Sequence, residues 1–151
     1  MNTTLFGKVA AGVSIVALGL CSCSGMSETK SAVNLFQQLG GSQSMTKMAS
    51  GLLSSSAKDP RLSTLMSHVD TSTATQKVSD QMCSALGGGC AAPFTNSQLE
   101  TAAHHFTPLQ TDAIADHFGS AVSSVTSDPT LRSAVTKTLG NKVGGILGAV
   151  L

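Results

Sequence analysis

Four cysteines and four histidines are the side chains best suited to covalent or ligand chemistry in this chain. Cys21 and Cys23 stand directly after an uncharged apolar run, residues 9–20. Cys83 and Cys90 are separated by six residues, of which Gly87, Gly88 and Gly89 make a flexible turn that can bring two sulfurs together. His104 and His105 are adjacent imidazoles, side chains that hold metals and move protons near neutral pH. With Asp112, Asp116 and His117 they can be drawn as a metal cluster, but the spacing matches no compact ligand motif. The serine run Ser54-Ser55-Ser56 lacks a nucleophile elbow or a base at motif spacing. The glycine runs lack the Lys-Ser/Thr ending of a phosphate loop. Nothing here assembles a catalytic set, so a non-enzyme is expected.

The front of the chain has an export pattern. Residues 1–8 hold one positive charge, Lys8, and the apolar run after it is shorter than the roughly 20 residues a bilayer span needs. Leu20-Cys21-Ser22-Cys23 resembles a bacterial lipobox, in which the final cysteine becomes the lipidated N-terminus. Cys21 fits worse, because bulky Leu20 would then sit beside the scissile bond. The expected organisation is a signal peptide over 1–22, a polar lipid-attached tether over 23–30 and one helical domain over 31–151. That places the domain on the cell envelope, tethered to a membrane by lipid on Cys23 and facing the periplasm or exterior. A plain secreted protein or an uncleaved anchor is the alternative. In such an oxidising compartment Cys83 and Cys90 are expected to form a disulfide, with two free thiols or a metal pair as the alternatives.

Composition narrows the partners. Nine basic residues face eight acidic ones, and Trp and Tyr are absent. Without a basic stripe or a set of stacking aromatics, nucleic acid is not expected to bind. The core must come from Leu, Val, Ala, Met and a few Phe.

The apolar spacing is helical almost throughout and predicts an all-α domain. Val33, Phe36 and Leu39 precede a glycine stop at Gly40-Gly41; Met45, Met48 and Leu52 repeat up to Asp59-Pro60. Leu62, Leu65 and Met66 make a short turn. A polar stretch, 70–75, separates it from Val78, Met82, Ala85 and Leu86. Leu99, Ala102, Ala103 and Phe106 share a face on a helix expected to run to Pro108. Ile114, Phe118, Ala121, Val122 and Val125 form the clearest amphipathic segment, and Asp128-Pro129 opens the last. The apolar tail, 139–151, is expected to cap the core, or else to touch the lipid surface.

The order of these elements resembles the group I truncated haemoglobins, among them exported, cysteine-containing lipoproteins. The resemblance rests on Leu35-Phe36-Gln37-Gln38-Leu39-Gly40-Gly41, on Asp59-Pro60-Arg61-Leu62, on the segment from Asp80 to Cys90, on Phe94-Thr95-Asn96 and on Leu99 to Phe106. It implies a two-over-two helical sandwich that binds haem, with a proximal histidine on the iron and a diatomic gas as ligand. His104 is the candidate ligand and His105 the alternative. Their phase departs from the family, since Ala103 occupies the slot between Leu99 and Phe106. The distal tyrosine is also missing, with Leu52 and Leu53 in its place and only Gln76, Gln81 or His68 as polar substitutes. Leu65 or Met66 stands where an aromatic shields the haem edge. The alternative is a globin-shaped module that has lost haem and acts in structure or protein interaction.

Overall fold

The computed structural model describes residues 35–151. The expected signal peptide, Cys23 and the tether lie outside the described residues. Residues 35–38 are helical, and six helices follow with no strand among the described residues. They are α1 (Gly41–Lys58), α2 (Ser63–Met66), α3 (Thr71–Ala85), α4 (Asn96–Ala103), α5 (Pro108–Val125) and α6 (Pro129–Gly148). The domain is all-α, as the spacing predicts.

The helix boundaries have local causes. Gly40 and Gly41 take left-handed φ values of 97° and 70°, which lets the chain reverse into α1. Asp70 caps α3 by accepting the N–H and hydroxyl of Ser72 and the hydroxyl of Thr73. The polar stretch 70–75 is therefore the opening of α3 and not a linker. Its Ser and Thr residues mostly face water, while Ala74 turns inward. Thr95 with Gln98, and Thr107 with Gln110, form reciprocal capping boxes that start α4 and α5. Asp128 caps α6, with Pro129 in its first turn.

Two boundaries differ from expectation. α4 stops at Ala103, because Thr107-Pro108 already opens α5 and the chain tightens before it. The His104 and His105 N–H groups donate to the carbonyls of Thr101 and Ala102, three residues back. By contrast, α6 runs on through the glycine-rich tail. Leu139, Val143, Ile146 and Leu147 are buried along it, so the tail caps the core.

α1 packs on α3 and α5, α5 on α6, α4 on α6, and α3 also touches α6. The start of α1 lies by the end of α3, with the Thr46 and Ser79 hydroxyls 3.4 Å apart. It also lies by the end of α5, where Lys47 Nζ donates to the Ser124 carbonyl at 2.9 Å. At the opposite end Gln110 Nε2 donates to the Arg61 carbonyl at 3.2 Å. Phe36 is buried beside Gly41 and Gly88, so the described chain enters at the first end, together with the α5–α6 turn.

The core is one apolar cluster drawn from every helix, with Met45, Met48, Leu52, Leu53, Met82 and Ile146 wholly buried. α4 and α6 approach each other closely. A Cβ at Gly145 would collide with the Leu99 carbonyl, and one at Gly148 would lie 2.7 Å from the Ala102 carbonyl oxygen. Gly144, one residue away, has open space at its Cβ position. Gly145→Ala is expected to lower stability by roughly 1–3 kcal/mol through overpacking. Gly144→Ala is expected to raise it by up to about 1 kcal/mol through helix propensity. Urea unfolding of the two variants checks this pair of opposite signs.

Candidate functional site

His104 and His105 lie beyond the last turn of α4, and both are exposed. His104 rims a groove of about 450 Å³ between α4 and α6, with Glu100, Asn141 and Lys142 on the rim and Leu99, Ala103 and Gly145 among its other walls. His105 lines a separate groove of about 330 Å³ with Phe94, Thr101, Ala102 and Ala149. No residue of α3 lines either groove. The two imidazoles are thus neighbours in sequence that serve different surfaces.

A globin-type haem would need an imidazole from α4 directed at iron, and an open plate-shaped space on the α3 side. These residues do not fit that requirement. Val78 and Met82 of α3 share one buried cluster with Leu99 of α4 and with Leu139, Ile146 and Leu147 of α6. Leu52 and Leu53 are wholly buried in the same cluster. The polar substitutes are engaged or outside. Gln81 is buried and accepts the Phe94 N–H at 3.0 Å, Gln76 is exposed and donates to Asp80, and His68 is exposed. Met66 is buried, whereas Leu65 is 38% exposed. One buried side-chain oxygen among the described residues has no partner, Ser56 Oγ on α1, but it lines neither histidine groove.

The strongest polar constellation lies elsewhere. The Asp59 carboxylate, at the end of α1, accepts from Arg61 N, Nε and Nη2 at 2.7–3.2 Å. His117 Nε2 of α5 lies 2.8 Å from its Oδ2. The carboxylate is nearly buried, so it joins the α1–α2 turn to α5. The Arg61 guanidinium holds the Asp59 carboxyl well below the ordinary range. The Arg61 N–H and His117 add to this, and burial opposes it. The sequence marks this site only through the turn residues Asp59-Pro60-Arg61, and His117 stands out there only as a member of the unmatched metal cluster. Nothing in the spacing links positions 58 residues apart.

Cys83 and Cys90 are joined as a disulfide, as expected from their glycine turn. Gly87 and Gly89 take positive φ, and Gly88 leaves no room for a side chain between Cys83 Sγ and the Phe36 ring. The disulfide loop therefore seats the first described turn of the chain. Among the described residues no group of three or more His, Cys, Asp or Glu could hold a metal ion, so the histidines, Asp112 and Asp116 are not brought together as one. The domain so defined is an all-α unit closed by one disulfide. No family model, curated protein or solved structure matches the chain.

Because the folded Asp59 carboxyl is depressed, its contribution is present above the unfolded value of about 4 and lost as pH falls through the folded value. Asp70, held low by its Thr73 and Ser72 hydrogen bonds, acts with the same sign. Melting temperature is expected to fall steeply below about pH 4. Asp59→Asn is expected to melt lower than the wild type at neutral pH and to lose part, not all, of the acid-induced drop. Circular dichroism melts across pH check both.

Proposed function

We propose that this chain is a lipid-anchored envelope protein whose domain is a globin-like helical module without haem, acting in structure or protein interaction and not as an enzyme. Cleavage before Cys23 and lipid on its sulfur place the domain at a membrane surface, facing the periplasm or exterior. The pairing of α1 with α3 and of α5 with α6, joined through α1 and α5, supports a two-over-two arrangement.

The observation that carries the haem-free reading is the seating of α4 on α6. Gly145 and Gly148 admit the α4 backbone so closely that Leu99 and Ala102 point inward, and the chain leaves the helix before His104. Binding haem through His104 or His105 would require α4 to leave α6 and turn toward α3, which would break the close contact at Gly145 and Gly148 and expose Leu99 and Ala102. Gas binding depends on the same rearrangement. In the interaction role, the exposed grooves at His104 and His105 offer polar and mixed surfaces.

Haemin titration of the mature, detergent-solubilised protein tests this. The expected result is the spectrum of free haemin. A sharp Soret band that vanishes in the double variant His104→Ala/His105→Ala would overturn the reading and restore histidine-ligated haem.

A further inference from the structure

We propose that the groove between α5 and α6 docks the anionic phosphate headgroups of the membrane to which the chain is tethered. This rests on the lipid-anchor reading above and adds which face of the domain meets the bilayer.

The groove has a volume of about 570 Å³ and lies between the second half of α5 and the first half of α6. Arg132 and Lys137 line it, together with the hydroxyls of Ser123, Ser133 and Thr136, and no carboxylate lines it. Arg132 Nη1 makes one long hydrogen bond, 3.4 Å, to Ser123 Oγ. Among the described residues the salt bridges all converge on Asp59 at the opposite end of the bundle, so Arg132 and Lys137 have no acidic partner there. Asp128 is close in sequence, but its carboxylate accepts the Thr130 and Leu131 N–H groups as the cap of α6. The Ser123 hydroxyl donates to the Gly119 carbonyl, which leaves two cations and the hydroxyls of Ser133 and Thr136 as donors, the chemistry that phosphate oxygens accept.

Placement selects the occupant. The described chain enters beside Phe36, at the end of the bundle where α5 finishes and α6 begins. The groove lies at the same end of the bundle as that entry point. The far end gathers Asp59, Asp70, Asp112 and Asp116, with Lys58 and the already paired Arg61. Anionic headgroups attract the groove end and not the acidic one. Each basic side chain at such a surface is worth roughly a five-fold change in partitioning.

The test is hydrogen exchange of the lipidated mature protein in vesicles of phosphatidylglycerol with phosphatidylcholine, against phosphatidylcholine alone. Flotation is measured on the same samples. The expected result is flotation with both compositions, and slower exchange of segments 119–123 and 129–137 only in the anionic vesicles. Arg132→Glu/Lys137→Glu is expected to lose that protection, whereas Lys77→Glu, an exposed charge reversal on α3, keeps it. Flotation with equal exchange in both compositions would overturn the docking face and leave the anchor standing. Equal protection by inorganic phosphate without vesicles would reassign the groove to a soluble anion and overturn the membrane assignment. Flotation with neither composition would remove the anchor reading and this proposal together.

Discussion

The backbone of α4 lies against α6 because Gly145 and Gly148 present no side chain where it crosses. That contact draws Leu99 and Ala102 into the interior and brings α3, α4 and α6 into one apolar cluster. The cap of the next helix sets where α4 ends. The helix is only eight residues long, the next helix is capped by Thr107, and His104 and His105 fall in the turn between them. A core of Leu, Met, Val and Ala tolerates such close approach well, since flexible methionines fill irregular gaps that rigid aromatic rings would leave.

Each end of the bundle is held by a different kind of bond. At one end the Cys83–Cys90 disulfide shapes a loop whose Gly88 receives Phe36, so a covalent link positions the point where the chain enters. At the other, Asp59 gathers Arg61 and His117, and Gln110 reaches the Arg61 carbonyl. Removing one partner from such a nearly buried set leaves the others poorly satisfied, which makes the cluster sensitive to acid. Between these two ends the helices are held almost wholly by apolar contact.

Much of the fold was legible in the sequence. Apolar spacing of three and four residues marks the helices, and Gly40-Gly41, Asp59-Pro60 and Asp128-Pro129 mark three of their boundaries. The disulfide was legible too, because a glycine turn between two cysteines leaves few other uses for them. Other features were hidden for physical reasons. The Thr107 capping box ends the run of α4 five residues before Pro108, although Phe106 continues the apolar spacing; a helical phase argument for His105 therefore does not apply. The polar stretch 70–75 is a cap followed by helix, since a cap and an exposed face need no apolar residues. The Asp59–His117 contact joins residues far apart in the chain, and pattern within one helix carries no trace of it.

Whether α4 and α6 stay in contact in solution decides if a histidine can reach haem. Nuclear Overhauser contacts between the Gly145 α-protons and the Leu99 side chain measure this directly, with and without haemin. Close packing predicts strong cross-peaks that haemin leaves unchanged. Their absence, or their loss as haemin is added, would contradict it, because α4 would then be free to leave α6 and offer a histidine to the iron.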